Sequence, residues 1–157
     1  MALSRIQINP IGAVRSIFGS DSGDKWSIVA ELVLDKSYVE GLEGIEDYSH
    51  IIVLFWMDKI VAEDRTMMRI HPRGMNDLPE VGVFATRGRA RPNPIGLAVV
   101  ELLGRDGNTL KVRGLDAFDG SPILDIKPYD SYDVKKNIHV PGWWMKMTSQ
   151  KHAKHEE

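Results

Sequence analysis

The chain has 157 residues, 43% of them apolar, and a net charge of −2, which suits one folded domain with a hydrophobic core and excludes general disorder. It contains no cysteine, so disulfides, thiolate metal sites and cysteine nucleophiles are ruled out. The opening MALSRIQINPIGAV lacks a signal-peptide core, and the longest apolar run, IIVLFWM at 51–57, falls far short of a membrane span, so a cytoplasmic protein is expected.

Two short apolar pieces, Arg5–Ile8 and Ala13–Phe18, flank Asn9-Pro10, and GSDSGDK at 19–25 reads as a loop. Trp26–Leu34 carries one charge, Glu31, and is expected to be a largely buried strand. Val39–Ile45 is a short helical candidate weakened by Gly41 and Gly44. Tyr48–Met57 is the best central strand, 59–70 a helical candidate and 71–80 an irregular loop. Val81–Arg87 returns to strand character. Arg91–Gly96 cannot be ordinary ladder, because Pro92 and Pro94 lack N–H donors. Gly96–Leu103 and Thr109–Leu115 flank an Asp-Gly hairpin signal. A turn, a short strand and a rigid exit follow through Asp130, and a polar tail, 148–157, is expected to fray. The expected fold is mainly β: a single compact β-barrel over 1–147, closed or nearly so, with short helices and irregular loops.

Charge is unevenly spread. Residues 21–64 hold eleven acids against three lysines, whereas 65–91 hold six arginines against Asp77 and Glu80. The second stretch is where an anion should bind. Within it, Arg87, Arg89 and Arg91 recur at a spacing of two, which on an extended backbone puts three guanidiniums on one side. Their planar donors suit phosphate or carboxylate, although a solvated edge with acidic partners gives the same pattern. Pro92 and Pro94 restrict the backbone around Asn93, whose amide can donate and accept.

A second cluster, Asp116, Asp119 and Asp125, offers carboxylates to a ribose, a metal or a ligand cation. Its spacing matches no calcium loop, and Asp119-Gly120 can serve as a turn alone. Lys127 can pair with Asp125 or face phosphate. His50 reads as a partly buried histidine, and His71 lies in the basic loop. No zinc motif, nucleophile elbow, P-loop or dinucleotide fingerprint is present, so no metal is expected. Trp56, Trp143, Trp144, Phe84 and Phe118 are candidates for stacking on a base, with Trp56 the one best explained as core.

The combination DYSHIIVLFWMD (47–58), GVFATR (82–87), RPNPIGL (91–97) and VRGLDAFDGSPILDIKPY (112–129) resembles the TsaA-like family, also called TrmO. The resemblance covers roughly residues 5–130. It implies a non-Rossmann β-barrel that binds S-adenosyl-L-methionine, forms a homodimer and methylates N6 of threonylcarbamoyladenosine beside the anticodon of tRNA. Carried onto this sequence, it implies a cofactor region of Arg87, Arg91, Asn93, Gly96, Leu115, Asp116, Asp119, Ile123 and Asp125. Asn93, Asp119 and Asp125 are the candidates for catalysis. Arg65, Arg69, His71, Arg73, Arg89, Lys127 and Tyr129 are the candidates for substrate contact. The chain departs from the family pattern at Ala98, at Gly88-Arg89-Ala90 and at Asp130, changes expected to adjust substrate preference. Longer relatives carry a further carboxy-terminal domain, so here the barrel and a dimer mate are expected to contact tRNA. A small anionic methyl acceptor, or a non-catalytic nucleotide- or adenosylmethionine-binding module, are the alternatives.

Overall fold

The computed structural model describes residues 3–19 and 24–152. Six strands close into a barrel: β1 (Gly12–Arg15), β2 (Val29–Leu34), β3 (His50–Trp56), β6 (Ile95–Asp106), β7 (Thr109–Arg113) and β8 (Pro122–Pro128). Their order is β1-β2-β7-β6-β3-β8, every neighbouring pair is antiparallel, and β8 returns to β1. Closure leaves this sheet no free edge. Two further strands, β4 (Arg69–Ile70) and β5 (Val81–Gly82), form a small separate ladder.

Alternation decides what enters the barrel. Along β3, Ile51, Val53 and Phe55 are buried; along β6, Ala98 and Val100; along β2 and β7, Ala30, Leu32, Leu34, Leu110 and Val112. These positions recur every second residue, as a pleated strand requires. Ala98, one of the departures from the family pattern, belongs to this core. Gly96 is required by close approach: a Cβ there would lie 2.3 Å from the Phe55 ring.

The expected strand Val81–Arg87 is shorter than the sequence suggests. Pairing stops at Gly82, and Val83–Ala85 form one turn of 3-10 helix. The helical candidate 59–70 likewise reduces to a single 3-10 turn, Ala62–Arg65, capped by the Thr66 hydroxyl on Glu63 O at 2.8 Å. Arg5–Ile8 is exposed coil. Part of the expected 19–25 loop, residues 20–23, lies outside the described residues. The expected tail is partly ordered: helix α1 (Gly142–His152) runs through its first five residues, and 153–157 lie outside the described residues.

Residues 57–94 leave the barrel between β3 and β6 as a lobe carrying most of the arginines. The lobe has its own small apolar centre: Pro72, Leu78 and Val83 are buried there but lie outside the barrel core. Helix α1 reaches this lobe through Lys146 Nζ, 3.3 Å from Asp77 Oδ2, and Met147 beside Lys146 is also buried.

Candidate functional site

β3 delivers Phe55 and then Met57, whose N–H donates to Pro94 O at 2.8 Å. The RPNP segment is thereby tied to the end of the strand. Asn93 O accepts from Ile95 N at 2.7 Å, a tight turn around Pro94, while the Asn93 side chain is exposed. From the other side, β7 leads into Leu115–Ser121. Gly120 at φ 80 closes a turn in which Ser121 N donates to Phe118 O at 3.1 Å.

These segments enclose a cleft of about 50 Å³ lined by Phe55, Met57, Lys59, Ile60, Arg89, Asp116, Ala117, Phe118 and Ser121. Phe118 is its aromatic wall. The ring packs on Phe18 with centroids 5.3 Å apart, and Lys59 Nζ sits 5.0 Å above it. Asp116 Oδ2 accepts from Lys25 Nζ at 3.2 Å, leaving Oδ1 without a protein partner among the described residues. One carboxylate, two exposed cations and an aromatic face therefore meet at one end of the barrel.

Of the residues expected to bind cofactor or substrate, only Asp116 and Arg89 line this cleft. Arg91 turns onto the backbone of its own lobe. Its Nε donates to Gly88 O at 2.8 Å, and its Nη2 donates to Val83 O at 3.0 Å and to Thr86 O. The backbone at 87–93 bends repeatedly instead of extending, so the three guanidiniums do not share one side. Arg87 is exposed and lies outside the cleft. Leu115 and Ile123 are fully buried in the barrel core, and Gly96 is buried against Phe55.

Asp119 accepts from Ser16 N at 3.0 Å and anchors its own turn to the chain beyond β1. Asp125 pairs with Lys127 at 2.7 Å on the outer side of β8, where neither touches the cleft. Arg65 lies over Trp56 at 5.6 Å and donates to Pro92 O at 2.9 Å. Arg69 pairs with Glu80 at 3.4 Å, and His71 Nδ1 lies 2.8 Å from Leu78 O. Arg73, at φ 53, is exposed. Tyr129 meets His50 edge to face at 6.4 Å. Sequence reasoning missed Phe55, Met57, Lys59, Ile60, Ala117 and Ser121. The only available signal was their position at or just after the end of the β3 run and in the stretch after Asp116, and nothing local says that those two places meet.

The fold and the cleft define the class: a small closed barrel with an arginine-rich lobe over an anion-suited cleft at one end. The family described as tRNA-methyltransferase O N-terminal domain matches residues 20–133, and the chain belongs to that family, also called TrmO or TsaA-like. A protein of Methanothermobacter thermautotrophicus named as a probable S-adenosyl-L-methionine-binding protein is 45% identical, covering 82% of this chain and 93% of its own. A protein of Archaeoglobus fulgidus with the same description is 42% identical over 92% of this chain, but this chain spans only 40% of it. The crystal structure of TrmO from Pseudomonas aeruginosa superposes with a TM-score of 0.68 at 33% identity, covering 88% of this chain and 62% of that one. Against these last two the chain spans less than two thirds of the relative's length.

Proposed function

We propose that this protein is an S-adenosylmethionine-dependent methyltransferase acting on N6 of threonylcarbamoyladenosine beside the anticodon of tRNA. Family membership supports the class of reaction, and the cleft supports the ligand. The convergence of Asp116, Phe118, Lys59 and Arg89 carries the reading. The free Asp116 oxygen suits ribose hydroxyls or an ammonium group, the Phe118 face suits a base or a sulfonium, and the two cations suit a carboxylate. The donor set thus fits the cofactor's chemistry. The cleft is nevertheless far smaller than the roughly 300–1,000 Å³ of an enclosing small-molecule site. Most of the cofactor would therefore lie on an open floor.

When bound, S-adenosylmethionine would supply an electrophilic methyl group. The chain's own task is positioning, which alone contributes much of the rate in a displacement of this kind. Asp116 would orient the cofactor, and Arg89 or Lys59 would hold the threonine carboxylate of the acceptor or that of the cofactor. The N6 proton must leave as the N–C bond forms. Asp119 and Asp125 are engaged elsewhere and the free Asp116 oxygen is given to the cofactor, so the proton passes to solvent at the open cleft. A homodimer completes the reading: the second copy would cover the open floor.

The test is incubation with labelled S-adenosylmethionine and tRNA with or without threonylcarbamoyladenosine, followed by nucleoside mass spectrometry. A methyl on N6 of the modified adenosine, absent from the unmodified control, is expected. Cofactor binding without transfer to any tRNA would sink the proposal.

A further inference from the structure

The 3-10 turn Val83–Ala85 buries Val83 to 1% exposure while Phe84 is 78% exposed. Phe84 has no polar atom in its side chain, so its exposure forfeits burial energy without a compensating hydrogen bond to water. The turn that carries it is nonetheless fixed. Val83 N donates to Met68 O at 3.0 Å. Val83 O accepts from Thr86 N at 3.2 Å, from Thr86 Oγ1 at 2.9 Å and from Arg91 Nη2 at 3.0 Å. The same Arg91 holds Gly88 O at 2.8 Å, next to the cleft residue Arg89. An exposed phenyl ring is therefore presented on a rigid turn coupled to the edge of the cleft.

The charges on the same lobe say what such a ring would meet. Arg69 is paired with Glu80, and Asp77 with Lys146. Arg73, Arg87 and Arg89 are exposed and, among the described residues, have no carboxylate partner. Guanidiniums that track a backbone, with an aromatic face on which a base can stack, form the surface that binds single-stranded nucleic acid. A protein partner would need acidic groups to neutralise the unpaired arginines of the lobe as well as an apolar contact for the ring. A phosphate backbone supplies that charge with a stacking base attached to it.

We propose that Phe84 is a stacking platform for an unpaired base of the RNA substrate, with a phosphate contact from the exposed Arg87 three residues further along the same segment. This rests on the proposed RNA substrate and adds a substrate-contacting residue to it. Stacking is tolerant of base identity, so Phe84 would fix the approach of the loop, and the cleft would read the modified base.

The experiment uses an RNA stem–loop carrying one 2-aminopurine in its single-stranded loop, whose fluorescence falls when it stacks. The wild-type protein should bind it with quenching. Phe84→Ala should weaken binding roughly 5- to 150-fold and abolish the quenching. Phe84→Trp should restore both, and S-adenosylmethionine affinity should be unchanged in each. Equal RNA binding and quenching by wild type and Phe84→Ala would overturn the assignment while leaving the RNA reading intact. A fall in oligomeric mass in Phe84→Ala, with RNA quenching retained, would make the ring a protein contact and overturn it as well. Failure of the wild type to bind any RNA while binding the cofactor would remove the RNA reading, and this assignment with it.

Discussion

Arg91 stands two residues from Arg89, yet the two guanidiniums do different things. Arg89 reaches the cleft, whereas Arg91 gathers the carbonyls of Val83, Thr86 and Gly88. Sequence spacing could not separate them, because the difference lies in a backbone bend held by Arg91 itself. Arg91→Lys keeps the charge and loses the fork. Charge-assisted hydrogen bonds contribute about 1.5–3 kcal/mol each and do not add fully, so a loss of about 2–3 kcal/mol is expected in urea denaturation. Arg87→Ala removes an exposed cation that, among the described residues, has no hydrogen-bond or ion-pair partner. Its denaturation midpoint should match the wild type while its RNA affinity falls and becomes less dependent on salt. Equal stability of the two variants would show that Arg91 does not organise the loop. For Asp119 and Asp125 the sequence left a site role open beside a turn role and a pairing with Lys127, and the fold ties Asp119 to Ser16 N and pairs Asp125 with Lys127.

Elements were legible where the pattern is local. The strand expected at Tyr48–Met57 is His50–Trp56, and the Asp-Gly hairpin signal sits between β6 and β7, with Gly107 at φ 58. The lobe was less legible because its conformation depends on distant partners. Val81–Arg87 has strand composition, but contacts from Met68 and Arg91 turn it into a 3-10 helix after Gly82. Helix α1 is another non-local partner, and it lies beyond residue 133, where the family match ends. Met147 is 3% exposed and adjoins the Lys146–Asp77 bridge, while Leu78 beside Asp77 is also 3% exposed. The bridge is surface-exposed and worth little, so apolar burial must supply the grip. Met147→Ala should cost about 2 kcal/mol or more, confined to the lobe. Hydrogen exchange should then accelerate across 71–83 and stay slow in β2 and β7. Uniform acceleration through the barrel would show that helix and lobe are not a separate unit.

The whole molecule leaves one face of its barrel unexplained by its own core. On the outer side of β3 and β6, Ile52 faces Val99, Leu54 faces Leu97, and Trp56 faces Ile95. Leu97 is 45% and Val99 41% exposed. Strands apolar on both faces are the mark of a sheet buried on both sides, and although Arg65 lies over Trp56 at 5.6 Å, Leu97 and Val99 stay open among the described residues. The nearby charges are already neutralised in pairs, Asp125 with Lys127 and Glu101 with Arg113. A partner with a net charge gains nothing there, whereas a second copy about a two-fold axis would set the same apolar pairs against themselves. Light scattering should therefore give twice the 17.7 kDa chain mass. Leu97→Glu should halve the measured mass with an unchanged circular dichroism spectrum, because the side chain points away from the core. If the open cleft depends on the second copy, the same variant should also lose cofactor affinity although Leu97 does not line the site. A wild-type chain that runs at a single mass would refute the interface. A dimer that survives Leu97→Glu would place its contact elsewhere, and the exposed Leu3, Ile6 and Ile8 before β1 would be the next surface to substitute.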